Sequence, residues 1–263
     1  MQWSEMRLVL TGASGGLGQA IALSLAGQGC SLMLVGRSEE KLKALKARLP
    51  RVQGQEHWVA ACDITQPEAR DSLAFMATDK GVNGLINLAG SNQFVTFESQ
   101  RDDAIAELVQ TNLTATLQLT RRFLPLLKQQ PEALIVNVGS ILGSIGFPGY
   151  ATYCATKFAL RGFSEALARE LSDTAVQVLY FAPRAARTSL NTDAVMAMNA
   201  QLGSSVDSAE TVAEALLSAI AARQPQTYLG WPEKLFVRVN AIAPGLVSRS
   251  LAKQLPIIKQ FLN

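Results

Sequence analysis

An α/β architecture, one doubly wound parallel sheet of about seven strands flanked by helices, is what this sequence encodes. Three signs carry that reading. Apolar runs of strand length recur along the 263 residues, longer segments of helical period separate them, and the runs do not alternate apolar with polar positions. Strands without alternation are buried on both faces, which requires a parallel sheet covered by helices. Right-handed crossovers then place a ligand crevice at the carboxyl ends of the strands.

The elements follow in order. RLVL (7–10) reads as the first strand, a glycine-rich turn follows, and Leu17, Ala20, Ile21 and Leu25 lie at helical spacing between Gly16 and Gln28. SLMLVG (31–36) is the second strand, and the amphipathic stretch 38–49 is a helix starting at Ser38. HWVAACD (57–63) is the third strand, with a helix after Pro67, and GLINLAG (84–90) is the fourth. One long helix is expected over 102–129, then ALIVNVG (133–139) as the fifth strand. A helix over 151–172 leads to VQVLYFA (176–182), the sixth. The stretch 183–207 reads as irregular, a lid, before a helix at 209–222 and a short strand at QTYLGW (226–231).

Bulk composition removes several functions. With 48 % apolar and 17 % charged residues the chain has material for a large core, which argues against disorder. The formal charge of +3 comes without a basic block, so nucleic-acid binding has no support. Cys30, Cys62 and Cys154 are scattered without CxxC spacing and His57 is the single histidine, so neither a disulfide frame, a metal centre nor a Ser-His-Asp triad is expected. No basic segment precedes the first apolar run and no apolar stretch reaches the roughly 18 residues of a membrane span, so a cytoplasmic protein is expected.

Chemistry begins at the turn after the first strand. Thr11-Gly12-Ala13-Ser14-Gly15-Gly16-Leu17-Gly18 carries glycines that allow a tight turn, close approach of backbone to a pyrophosphate, and close packing of helix on strand. The following helix N-terminus offers free N–H groups and partial positive charge to the anion. At these residues the sequence resembles the short-chain dehydrogenases/reductases of the TGxxxGxG branch, a Rossmann-type family, and the resemblance runs to about residue 190. It implies that Gly12, Ser14, Gly15, Gly16, Leu17 and Gly18 hold a dinucleotide. It also places Asp63, with Ile64, by the adenine ring, and matches Asn87, Ala89 and Gly90 to the NxAG motif that steadies the cofactor crevice.

Charge selects the cofactor. An NAD enzyme usually carries a carboxylate at the end of the second strand, where it bonds the ribose hydroxyls. Here Gly36 is followed by Arg37 and Ser38. A guanidinium and a hydroxyl suit a 2′-phosphate that a carboxylate would repel, so NADP(H) is expected.

Tyr153-Cys154-Ala155-Thr156-Lys157 forms YxxxK at the start of a helix, with the two side chains about 5–6 Å apart at Cβ on one face. A free phenol titrates at about 10, and a neighbouring ammonium is expected to lower it. Thirteen residues earlier, just past the fifth strand, stands Ser140. The resemblance implies that Ser140 bonds the substrate oxygen, Tyr153 transfers the proton, and Lys157 also holds the nicotinamide ribose. It makes Asn112 the fourth catalytic residue, on a water-linked proton path, and it places Pro183 and Thr188 at the cofactor. The glycine that the family carries after Pro183 is Arg184 here. Arg184 and Arg187 read either as anion contacts or as solvated loop residues. Ile141, Leu142, Ile145, Phe147 and Pro148, with Leu190, Val195, Met196 and Met198 of the lid, read as an apolar substrate wall or as ordinary packing.

Residues 1–231 are thus expected as the dinucleotide-binding and catalytic domain. The tail 232–263 carries Lys234, Arg238, Arg249, Lys253 and Lys259 and no acid after Glu233. Pro244-Gly245 splits it into two helices, with packing or a subunit contact favoured over a peripheral membrane contact. The expected activity is NADP(H)-dependent reduction of a ketone or aldehyde, of 3-oxoacyl or other apolar type. The alternatives are oxidation of a steroid-like or aliphatic alcohol, and a nucleotide-sensing protein without chemistry. Family members pair through the helices near 102–129 and 151–172, so a homodimer or homotetramer is implied.

Overall fold

The computed structural model describes residues 2–52 and 54–262; the expected domain's outer limits, Met1 and Asn263, lie outside the described residues. Seven parallel strands form one sheet in the order β3-β2-β1-β4-β5-β6-β7. They are β1 (Arg7–Thr11), β2 (Ser31–Gly36), β3 (His57–Ala61), β4 (Gly84–Asn87), β5 (Ala133–Val138), β6 (Val176–Ala182) and β7 (Gln226–Tyr228). Every residue of β4 and β5 is buried, as runs covered on both faces must be. The order reverses between β1 and β4, which leaves an open crevice at their carboxyl ends.

Two apolar layers enclose the sheet. On one side α1 (Gly16–Gly27), α2 (Glu39–Arg48) and α8 (Ala209–Ala221) pack Ile21, Leu25, Leu42 and Leu216 onto Leu8, Leu10 and Leu34. On the other, α3 (Pro67–Asp79), α5 (Ala115–Lys128) and α6 (Ala151–Glu170) press Leu73, Leu119, Phe123 and Leu167 onto Val9, Val35 and Ile135. Phe123 is fully buried, and cutting such a side chain to alanine costs about 3–5 kcal/mol.

The differences from expectation cluster around the crevice. β3 and β4 stop two and three residues early (57–61 against 57–63, 84–87 against 84–90), because 62–63 and 88–90 leave the sheet to line it. The long helix is interrupted: α4 (Asp102–Val109) and α5 are joined by one π-helical turn, Gln110–Thr114, with buried Asn112 inside it. Such π-turns mark places where a side chain is re-aimed at some cost to the helix ladder. Residues 183–207 are not wholly irregular, since α7 (Asp193–Gln201) forms there, its first turn capped by the Thr192 hydroxyl accepting from the Val195 N–H. The tail makes α9 (Glu233–Ile242) and α10 (Pro244–Lys259), Pro244 standing at the first turn where a missing N–H costs nothing. Val237 and Val247 pack on Ile141 and Ile145, and Ile258 on Val195 and Met198.

Candidate active site

The crevice is a cavity of about 1080 Å³ running from the glycine turn to α9 and α10. At its β1 end the wall is backbone. Gly12 has φ +69°, and a Cβ there would lie 2.9 Å from the Ala89 Cα. A Cβ on Gly18 would sit 2.2 Å from the Gly12 carbonyl oxygen. On Gly16 it would press on the Thr188 side chain at 3.3 Å, so Thr188 closes over the turn as expected. The Thr11 hydroxyl accepts from the Leu88 and Ala89 N–H groups at 3.0 and 3.1 Å and ties the end of β4 to the turn. No side chain caps α1, whose first N–H groups stay available to an anion. This cradle fits a dinucleotide pyrophosphate: a Cβ at 12 or 18 would collide with the backbone of the turn or of the β4 end and force it to move.

At the end of β2, a Cβ on Gly36 would lie 3.0 Å from the Ser14 hydroxyl, so the glycine keeps open the space where a carboxylate would otherwise stand. The Arg37 guanidinium has no protein partner among the described residues and lines the cavity. Ser38 lies outside the lining; its hydroxyl caps α2 by accepting from the Lys41 N–H at 3.3 Å. Asp63 lines the crevice and is held by the Thr65 N–H and hydroxyl at 2.9 and 2.8 Å. Ile64 packs beside it, its carbonyl accepting from the buried Arg70 guanidinium at 2.7 Å.

Asn87 lies at the end of β4 and is buried. Its amide turns beneath the floor, donating to the Thr120 hydroxyl at 3.0 Å and to the Asn137 carbonyl oxygen at 2.9 Å. Asn137 in turn donates to Ser164 at 2.9 Å. The chain joins β4, α5, β5 and α6 under the reacting centre, where an unpaired amide would cost a full desolvation penalty. Ala89 and Gly90 do line the crevice.

Ser140, Tyr153 and Lys157 meet at the crevice centre. Ser140 follows β5, its hydroxyl accepting from the Leu142 N–H at 3.1 Å. The Tyr153 phenol, on the first turn of α6, lies close enough to the Ser140 hydroxyl to interact with it. One turn on, the Lys157 ammonium is 5.7 Å from the Tyr153 ring centre and donates to the Val138 carbonyl at 3.1 Å. Burial pushes the Tyr153 pKa up to about 12, with the Ser140 hydroxyl opposing it, and lowers Lys157 to about 8. Within the protein alone, loss of water around the phenolate is the largest influence on Tyr153.

Asn112 sits inside the π-helical turn and is buried. Its carboxamide oxygen accepts from the Ser91 N–H at 2.8 Å, while its N–H groups donate to the Ser91 carbonyl at 2.8 Å and the Thr156 hydroxyl at 3.3 Å. The side chain braces the loop after β4 against α6 and does not line the cavity.

Beyond the catalytic centre the wall is side chain. Ile141, Leu142, Ile145, Phe147, Leu190, Val195 and Met198 line it, whereas Pro148 and Met196 do not. Pro183 lines it, and Arg187 is exposed outside it. Arg184 is neither an anion contact nor a solvated residue. Its guanidinium clasps both Asp207 oxygens, at 2.9 and 2.7 Å, and also bonds Glu233 at 3.1 Å and the Trp231 carbonyl at 3.2 Å. A base of the lid and the head of α9 are thereby pinned together. The largest omission from the expected site is the tail itself: Phe236, Val239, Leu246, Val247 and Leu251 close the far side of the cavity. Apolar periodicity in 232–263 is visible, but nothing local says which surface it covers.

Comparison with known proteins gives concordant matches. The family model described as short chain dehydrogenase matches residues 7–199. "Uncharacterized oxidoreductase DltE" of Bacillus subtilis (strain 168) is 33 % identical over 195 residues, covering 73 % of this chain and 75 % of the relative. "3-oxoacyl-[acyl-carrier-protein] reductase FabG" of Vibrio cholerae serotype O1 is 31 % identical over 177 residues, 66 % of this chain and 71 % of that protein. A short chain dehydrogenase from Burkholderia cenocepacia J2315, solved in complex with NADP, superposes with a TM-score of 0.81 at 25 % identity, covering 95 % of this chain and 99 % of that one.

Proposed function

The chain belongs to the short chain dehydrogenase family and is an oxidoreductase, and we propose that it reduces a ketone or aldehyde on an apolar substrate at the expense of NADPH. The carrying observation is the meeting of the Ser140 hydroxyl, the Tyr153 phenol and the Lys157 ammonium in a cavity that begins at a cradle only glycines can form. NADPH is favoured over NADH by the partnerless Arg37 beside Gly36 and Ser14, and the Burkholderia neighbour was solved with NADP.

Reduced nicotinamide, when bound, supplies the hydride for the carbonyl carbon. Every other part of the reaction falls to the chain. Ser140 donates a hydrogen bond to the carbonyl oxygen, and stabilising the charge that grows there contributes a few kcal/mol in so dry a site. Tyr153 gives its proton to the same oxygen, which completes the alcohol. Burial, which raises the phenol's pKa, keeps that proton on Tyr153 in the neutral range, so the proton is in place for delivery to the carbonyl oxygen. Lys157, anchored on the Val138 carbonyl, holds positive charge against the ring and restrains the phenolate left behind. Asn112 acts at a distance, by fixing Ser91 and Thr156.

The walls of Ile141, Leu142, Phe147 and Met198 suit an acyl chain or a ring system, and the similarity to a 3-oxoacyl reductase makes thioester-linked 3-ketones the first class to try. A homodimer through the outer face of α6, where Phe158 is exposed, completes the proposal. Tyr153→Phe tests the chemistry: turnover in an NADPH-consumption assay should fall roughly a thousandfold while NADPH still binds. A variant that kept most of its rate would end this mechanism.

A further inference from the structure

Five of the eleven exposed large apolar side chains among the described residues crowd into the short stretch 231–246: Trp231, Leu235, Phe236, Ile242 and Leu246. Ile242 is 87 % exposed and Leu246 57 %, so this is a patch and not the scatter of single apolar residues that any surface shows. Phe236 and Leu246 are at once exposed and part of the cavity lining, so the patch edges the cavity mouth.

The two tail helices are sided. On α10, Val247, Leu251 and Ile258 face inward, while Leu246, Arg249 and Lys253 recur at i, i+3 and i+7 on the opposite side. On α9, Leu235, Val239 and Ile242 share a stripe whose middle member lines the cavity. From 234 onward the sequence holds five cations and no acid, although the whole chain carries a net charge of only +3. None of the five has a carboxylate partner among the described residues, and Glu233 is already held by Arg184. Apolar side chains flanked by unpaired cations complement an anionic lipid surface.

We propose that α9 and α10 dock the protein on an anionic bilayer, with Leu235, Ile242 and Leu246 in the acyl boundary and the cavity mouth held against the lipid. The docking stands on the surface alone, apart from the carbonyl chemistry.

Co-sedimentation of the full chain with phosphatidylcholine vesicles, with and without phosphatidylglycerol, tests it. The wild type should pellet with the anionic vesicles. Leu235→Asp with Ile242→Asp should stay in the supernatant, and Arg249→Glu with Lys253→Glu should bind anionic vesicles roughly tenfold or more weakly. None of these four residues lines the cavity, so retained NADPH binding certifies the fold of each variant. Wild-type protein recovered equally from the supernatant in all mixtures would overturn the proposal. So would unchanged vesicle binding by the Leu235/Ile242 variant. An oligomer that this variant splits by light scattering, with no vesicle binding by the wild type, would assign the patch to a second copy instead.

Discussion

At one end of the cavity the wall is main chain, and at the other it is side chain. Around Gly12 and Gly18 carbonyls and Cα atoms stand where a Cβ would have to go, at 2.9 Å or less. Around Phe147, Met198 and Leu246 the boundary is made of flexible apolar groups carried by four separate segments. The first surface recognises what every dinucleotide shares, a doubly charged pyrophosphate, and has no room to vary. The second can be reshaped by substitution without disturbing the first. Conformational rigidity is thus placed where the ligand is constant, and adaptable packing where it differs from one enzyme to the next.

If the two ends are as independent as this implies, variants at each should leave the other's readout alone. Gly18→Ala should have the largest effect: the new Cβ meets backbone that cannot yield, at a cost of about 3 kcal/mol, and NADPH affinity by fluorescence titration should drop about a hundredfold. Arg184→Met strands Asp207 and Glu233 in a largely enclosed site, which costs about 2 kcal/mol and lowers Tm by about 5 °C. Its NADPH affinity should stay within about twofold of wild type; a parallel collapse of cofactor binding would show that the two ends are coupled. Arg37→Asp should raise KM for NADPH about tenfold and narrow the gap to NADH, with substrate KM unchanged. The smallest effect is that of pH. Burial lowers Lys157 to about 8, so its charged form is lost as pH rises, and kcat/KM for reduction should be level near neutrality, halved at about pH 8 and falling beyond. A profile level to pH 10 would remove the ammonium from the reaction.

The same contrast governs what could be read from residues alone. The phosphate cradle and the Tyr153–Lys157 pair are legible because each is set by short spacings on single elements, a turn between strand and helix or one turn of α6, and Ser140 stands at a fixed interval before that pair, just past β5. The ends of β3 and β4 read two or three residues too long, because Cys62, Leu88 and Ala89 continue the apolar runs while lining a crevice. Asn87 and Asn112 have the right types at the right places, yet their amides bond Thr120, Asn137, Ser91 and Thr156, partners from 21 to 50 positions away that no local pattern reveals. The phenol's environment follows the same rule: the i, i+4 lysine is visible in the spacing, but the burial that raises the phenol's pKa is a property of the whole fold. Arg184 replaces a glycine, a visible anomaly, while Asp207 and Glu233, which explain it, lie far along the chain.

That clasp carries a lesson for anyone wishing to exchange substrates by transplanting loops. A Cβ on Gly230 would come within 2.6 Å of the Arg184 side chain, so the arginine needs a bare residue beside it as well as its two carboxylates. Positions 184, 207, 230 and 233 therefore form one inheritable unit, spread over three segments. A graft that moved the lid without the head of α9 would import half a joint.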